Sequence, residues 1–522
     1  MSPVYHPIIY VRGYAMTRSE IDETTADPFC GFNLGSTVYR ATPDKDKPAK
    51  KFIFESPVIR LHSDFGYSDV FENGLDIMDS GWEGTLPRRS IIIYHYYEQA
   101  STLLGRGKTP TISDFATGLS HLLKRVQELV QVGPPAQGKD AADYYATPGE
   151  FKCHLVAHSM GGLVCRAFLQ NQALDPAQMR GTVAKIFTYA TPHNGIEMAG
   201  LNVPSWLSMD DMNNFNRDNM AKYLDLEGVY ALTNRVDWVP EELVNNFFCM
   251  VATNRNDYEV AMGASRTFAG HGSDGLVRIE NASVWGHDGN GRSTEPCATA
   301  YTYRSHSGYF GIVNSEEAYQ NLIRFLFGDL RVDIWCDVNN VSLPSELQGK
   351  ANVDALYQFE VLAAPRGKRW YLTRRVAEED SVACCSHTDL MAALQNQGGK
   401  SIYLSTSCLG SSWKVDPSND ALTYSLMFAV RTPDYEVNRA FWFDGHYEGS
   451  KLYSDELMVE ITPPKADAGW SVRCRWGSSG QTMQQAVLSS DEQGRAVVSV
   501  AFANNQAPGI AGALRFVVSP LS

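Results

Sequence analysis

"VAHSMGGLV", residues 156–164, places Ser159 among small residues, at the end of the apolar run "FKCHLVAHS" (151–159) and just before "MGGLVCRAFLQNQ" (160–172). A serine at a strand-to-helix junction can serve packing, as a helix cap. It can also serve chemistry, because a nucleophile held on a sharp, strained turn is presented to substrate and cannot relax away. Ala157 and Gly161 stand two residues to either side of it. That is a nucleophile elbow with alanine in place of the first glycine, a mild departure, since the turn demands only small flanks. A helix opening at Met160 would bring its positive end to the serine, and the Met160 N–H is a candidate donor to an oxyanion.

On either side of this turn, residues 1–328 alternate strand-like and helix-like segments. "HPIIYVRG" (6–13), "SIIIYHYY" (90–97), "AKIFTYAT" (184–191) and "NFFCMVAT" (246–253) are short apolar runs like 151–159. Between them "ISDFATGLSHLLKRVQELVQV" (112–132) carries Phe115, Leu119, Leu122, Leu123, Val126, Leu129 and Val130 at helical spacing, with Ser113 as the expected cap. "SEEAYQNLIRFLFG" (315–328) reads the same way. Strands alternating with helices predict an α/β fold, a mostly parallel sheet covered on both faces. The acidic run "SDFGYSDVFENGLDIMD" (63–79) does not match an EF-hand loop and reads as a solvated loop.

After Gly328 the pattern changes. "VDIWCDV", "LYQFEVLAA", "RWYLTRRV", "SIYLSTSCL", "LTYSLMFAVRT", "AFWFDGHYE", "ELMVEITP", "WSVRCRW", "RAVVSVAFA" and "LRFVVS" follow with hardly a helix among them. This predicts a C-terminal all-β, sandwich-like domain over 330–522, accessory or binding in role, behind a catalytic domain over 1–328.

Composition supports more than one domain, because 522 residues exceed a single ordinary core. The net charge of −14, with Lys and Arg scattered, argues against nucleic acid as a partner and against electrostatic capture by an anionic membrane as the primary activity. No apolar run approaches 18 residues, and "MSPVYHPIIYVRGY" lacks the pattern of a secretory leader. The expectation is a chain that is cytoplasmic as synthesised, exported only by a non-classical route. Cys153, Cys165 and Cys249 lie in core-like stretches, as reduced thiols do, and no CxxC occurs. No metal or cofactor is expected.

An elbow needs an acid and a base, in the order Ser, Asp or Glu, His. "AGHGSDGLVRIENASV" (269–284) puts Asp274 in a glycine-rich turn before an expected apolar strand, with Asp237 and Asp257 as alternatives. "RSHSGYFG" puts His306 in a loop ahead of the last helix. His158 reads as a buttress of the elbow, facing the other side of the turn, and His193 and His271 as supporting groups. The expected roles are Ser159 as nucleophile, His306 as proton acceptor and donor, and Asp274 as the group that fixes the imidazole. The second oxyanion donor should come from "YVRGYAMT", where Gly13 permits close approach and the Tyr14 N–H is the candidate.

With these pieces in place the chain resembles the α/β-hydrolase superfamily on its lipase side, and more narrowly the lipase-like proteins grouped with GPI-inositol-deacylase-type hydrolases. "PIIYVRGYAMT", "HLVAHSMGGLVCRAFL", "IFTYATPHNG", "GSDGLV" and "SHSGYFG" carry the resemblance, over about residues 7–328. Arg12 departs from it, since the family usually has histidine before that glycine.

The resemblance places a cap or lid in the insertion 196–245, where Trp206, Leu207, Met209, Met212 and Phe215 form an apolar, adaptable face. Such a face suits acyl chains; the alternative is an ordinary helical pair packed on the core. Three functions compete. The first is a lipase or phospholipase cleaving carboxylic esters of lipids, with transient lipid-surface contact. The second is an esterase or acyltransferase on small or polymeric esters. The third is an interaction protein acting through its β-domain. Leaderless lipase-like proteins include bacterial phospholipase toxins, and for that destination the resemblance implies a neutralising partner protein.

Overall fold

The computed structural model describes residues 4–13, 37–40, 50–53, 57–70, 77–79, 81–94, 111–135, 140–196, 215–255, 272–307, 311–350, 352–368, 370–437, 445–464 and 469–521. The chain divides into two compact units, Met1–Cys297 with Arg304–Leu322, and Ala298–Tyr303 with Ile323–Ser522. The boundary near the end of the α/β part falls between Leu322 and Ile323, inside the helix Glu316–Phe327.

The first part is built on a sheet of β1 (Ile8–Val11), β2 (Ser68–Asp69), β3 (Ser90–Tyr94), β4 (Cys153–His158), β5 (Val183–Tyr189) and β6 (Phe247–Ala252), in the order β6-β5-β4-β1-β3-β2, while β7 (Ala298–Thr302) falls in the second unit. Pairings of β1 with β3 and β4, of β2 with β3, of β4 with β5 and of β5 with β6 are parallel. Every residue of β1, β3, β4 and β6 is buried, so both faces are covered and the strands read as unbroken apolar runs. The α/β class expected from the sequence is the class observed. After β1 the chain builds β2 and β3 on one side, then crosses to β4 on the other. Strand order thus reverses between β1 and β4, the switch point beyond whose carboxyl ends ligands collect in open α/β sheets.

Helix α1 (Ile112–Leu129) buries Phe115, Leu119, Leu122, Leu123 and Val126 as its spacing requires. Its cap is Thr111 rather than Ser113. Thr111 Oγ1 accepts from the Asp114 N–H while Asp114 accepts from the Thr111 N–H, a reciprocal box that Ser113 cannot form. Helix α2 (Met160–Gln170) is buried from Met160 to Leu169. The described half of the expected lid, 215–245, forms the short helices Arg217–Tyr223 and Glu227–Thr233, whose Met220, Ala221 and Val229 join the main core, as do Leu224 and Val236. Phe215 packs against the same core. Trp206, Leu207, Met209 and Met212 lie outside the described residues.

The C-terminal part is the expected antiparallel β region. Leu330–Ser342 pairs with Lys400–Leu409 and Gly509–Pro520, and Ala496–Ala503 with Gly509–Pro520. A second sheet pairs Val353–Pro365 with Leu422–Val437, then Gly445–Thr462, then Ser471–Trp476. Inward residues of both sheets, among them Val332, Ile334, Phe359, Val361, Phe428 and Phe516, share one core. Among the described residues an α-helix, His387–Gln397, interrupts the strands, capped by Ser386 and closed at Gly398 with φ 73°.

Candidate active site

Ser159 follows β4 directly and precedes α2. Its φ of 53° and ψ of −126° hold a non-glycine residue in backbone space that L side chains avoid. The Ser159 N–H donates to the Tyr189 carbonyl at 2.9 Å, which ties the turn to the end of β5. Small neighbours are obligatory. A Cβ on Gly161 would stand 2.1 Å from the Val11 carbonyl oxygen, and one on Gly162 would stand 2.2 Å from Thr191 Oγ1. A Cβ on Gly13, in the loop after β1, would stand 2.5 Å from Ser159 Cβ. The loops on the two sides of the switch point are therefore in direct contact at the serine.

Ser159 Oγ lies 2.9 Å from His306 Nε2, and His306 Nδ1 lies 2.8 Å from Asp274 Oδ2. An ionised carboxylate only accepts, so Nδ1 carries the proton and Nε2 is left to accept from the serine hydroxyl. A second bond, His306 N–H to the Asp274 carbonyl at 3.2 Å, fastens the two loops. Asp274 and His306 are 1% and 3% exposed and Ser159 8%, so the serine is the most open residue of the three.

The expected strand after Asp274 is absent: 276–284 is a turn followed by the 3-10 segment Ile279–Asn281, with a strand only from Trp285. The cause is Asp274 itself. Its Oδ1 accepts from the N–H groups of Leu276 (2.9 Å) and Val277 (2.7 Å), and its own N–H donates to the Val277 carbonyl. Gly275, at φ 101°, permits that turn. One carboxylate oxygen is thus anchored to backbone and the other is aimed at His306.

Met160 opens α2, so its N–H belongs to the group that a helix leaves without an intrahelical acceptor. Tyr14 lies outside the described residues, as do Asp257 and His271. Asp237 is not joined to His306; Arg235 takes both of its oxygens, at 3.0 and 2.5 Å. His193 is buried with Nε2 facing Thr188 Oγ1 at 3.2 Å and Cys249 Sγ at 3.5 Å, and burial followed by the charge of Arg166 pushes its pKa well down.

Two contacts go beyond the sequence reading. His158 Nε2 meets the His306 carbonyl oxygen at 2.9 Å, so this ring braces the histidine loop as well as the elbow; facing away from it is not what the chain does. Burial keeps His158 neutral by pushing its pKa well below the ordinary histidine value, and a neutral ring can donate that one hydrogen bond. The second is Arg166, wholly buried in α2. It donates to Gln170 Oε1 (2.9 Å) and to the carbonyls of His193 (2.9 Å), Val236 (2.8 Å) and Trp238 (2.7 Å). Burial lowers its pKa to about 10, which leaves it cationic at neutral pH. A lone charge inside the otherwise apolar "MGGLVCRAFL" was the available signal.

Among the described residues no group of three or more His, Cys, Asp or Glu side chains is placed to hold a metal ion. No described helix is long and apolar enough to cross a membrane.

No protein-family model and no curated protein sequence matches the chain. Among solved structures it is similar to the lipase BlEst2 of Bacillus licheniformis in mature form, at 14% identity and a TM-score of 0.29, over 62% of this chain and 93% of that one. The propeptide form of the same lipase is similar at 11% identity and a TM-score of 0.29, over 90% of this chain and 96% of that one. Phospholipase PlaB of Legionella pneumophila is similar at 12% identity and a TM-score of 0.30, over 85% and 91%. These likenesses are distant, and the site stands on its own geometry.

Proposed function

We propose that the chain is a serine hydrolase that cleaves carboxylic esters of lipids, as a lipase or phospholipase, through an acyl-enzyme. The observation that carries the reading is the hydrogen-bonded series Ser159 Oγ, His306 Nε2, His306 Nδ1, Asp274 Oδ2 at 2.9 and 2.8 Å, beyond the carboxyl ends of the strands at the switch point. In this mechanism Ser159 Oγ attacks the ester carbonyl as His306 Nε2 takes its proton. Asp274 stabilises the imidazolium and holds the ring's orientation. The Met160 N–H, with Tyr14 N–H as the second donor, accommodates the oxyanion. The imidazolium returns the proton to the leaving alkoxide. Water, deprotonated by the same ring, then releases the acid. The lipid preference rests on the apolar residues Trp206, Leu207, Met209 and Met212 of the insertion. The narrower likeness to GPI-inositol-deacylase-type hydrolases rests on motifs alone and adds no head group.

Ser159→Ala tests the reading. Hydrolysis of p-nitrophenyl esters and of phospholipid vesicles should fall by several orders of magnitude, and a fluorophosphonate probe should label wild type only. Labelling or turnover that survives in folded Ser159→Ala overturns it. A wild type active on soluble butyrate esters yet inert on lipid aggregates transfers the proposal to a small-ester hydrolase.

A further inference from the structure

We infer that Cys249 and Cys297 are a site of oxidative cross-linking, and that hydrogen peroxide joins them in a disulfide within the folded chain. Cys249 lies in β6 and Cys297 immediately ahead of β7, and both side chains are fully buried. Their sulfurs are 3.4 Å apart. Bond formation requires closure by roughly 1.4 Å, within reach of small side-chain rotations. His193 Nε2 lies 3.5 Å from Cys249 Sγ and lines the same buried spot.

The chemistry balances with one peroxide. The Cys249 sulfur attacks one peroxide oxygen, the O–O bond breaks and the thiol proton passes to the departing oxygen, giving Cys249 sulfenic acid and one water. The Cys297 sulfur then attacks the sulfenic sulfur and a second water leaves. Two thiols have been oxidised and one peroxide reduced to two waters. The small size of the oxidant matters, because the buried sulfurs exclude bulky disulfide reagents.

The consequence follows from what lies between the two cysteines. The segment from 249 to 297 carries Asp274, so the bond closes a loop at the base of the element that orients His306. Closing a loop of that length removes unfolded-state freedom and should raise the thermal midpoint by on the order of 5–10 °C.

The test uses the full chain with exposed Cys384 first blocked by iodoacetamide. After peroxide treatment, non-reducing digestion and mass spectrometry should find the Cys249 and Cys297 peptides linked, two hydrogens lighter than their sum. The raised midpoint should appear with the link, and dithiothreitol should reverse both. Cys297→Ala should show neither change. The inference is overturned if, after peroxide and unfolding, both thiols still alkylate, or if they appear as sulfinic acids or linked to other cysteines. Differential alkylation of wild type decides this alone if Cys297→Ala does not fold, and no readout depends on ester hydrolysis.

Discussion

If the proposed ester hydrolysis holds, Gly13→Ala should disable it without unfolding the chain. The new Cβ would stand 2.5 Å from Ser159 Cβ, 2.9 Å from the His158 carbonyl oxygen and 3.3 Å from His158 Nδ1. Carbon atoms in ordinary contact lie about 3.5–4.0 Å apart, so Ser159 Cβ or the Gly13 loop must move by about 1 Å or more. The His158 oxygen belongs to backbone in β4 and has no soft way to yield. Displacing a nucleophile by about 1 Å costs about 10²-fold in rate. Overpacking of this kind costs about 1–3 kcal/mol, against a total stability of about 5–15 kcal/mol. The variant should therefore remain folded while kcat/KM for p-nitrophenyl butyrate falls about 10²-fold. Gly181→Ala is the control, since nothing lies within 4 Å of a Cβ there; it should leave both rate and stability unchanged. Steady-state kinetics, circular dichroism and the rate of fluorophosphonate labelling read the outcome. A folded Gly13→Ala with wild-type kcat/KM would refute the reasoning, because the serine would then not depend on the backbone contact that places it.

Asp274→Asn should lower kcat by about 10³–10⁴-fold by favouring the wrong imidazole tautomer, whereas Asp237→Asn should mainly lower the urea midpoint, because Asp237 is bound to Arg235; equal kinetic losses in both would dissolve the distinction. Arg166→Met strands the His193 and Val236 carbonyls, while Trp238 keeps a bond from Gln170. At about 1–3 kcal/mol for each unsatisfied buried group, it should destabilise by about 2–6 kcal/mol, and an unchanged urea midpoint would contradict that. Acid should also destabilise the fold. Burial, followed by the charges of Arg88, Lys185 and Lys152, lowers the pKa of His6 to about 4, and burial lowers that of His154 well below the ordinary value of 6.5. The unfolded chain binds those protons first, so their stabilisation is complete above about pH 6.5 and is lost as pH falls toward 4. For His6 alone this is about 3 kcal/mol. Urea midpoints measured from pH 7.5 down to 4.5 check it, and a flat profile would count against buried neutral histidines.

What was legible in the sequence had left its steric demands in the letters. The elbow could be read because Gly161 and Gly162 face backbone or a threonine side chain at distances no Cβ can occupy. Asp274 could be read from chain order, but the strand expected after it could not survive, because its carboxylate captures the N–H groups of Leu276 and Val277 that a strand would need. The cap of α1 is Thr111, where the sequence also offers Ser113. Asp114 stands three residues after Thr111, and that spacing decides between Thr111 and Ser113. β2, only two residues long, has too little pattern to register, and β7 reads "ATAYT", without the aliphatic density of its neighbours.

The bonds that hold the site together explain the rest. His158 donates to the carbonyl of His306, the His306 N–H to the carbonyl of Asp274, and Arg166 to the carbonyls of His193, Val236 and Trp238. In each case the acceptor is backbone, which every residue offers and no letter marks. A sequence therefore reveals such a brace only through its donor, and only where that donor is a polar residue in an apolar run. His158 and Arg166 are both of that kind, one in β4 and one in α2. An arginine buried along with its helix from Met160 to Leu169 must find acceptors or lose several kcal/mol. Its carbonyl partners lie in the loop after β5 and in the segment 236–238, so the same residue that satisfies its own burial fixes α2, and with it Ser159, against the surrounding loops.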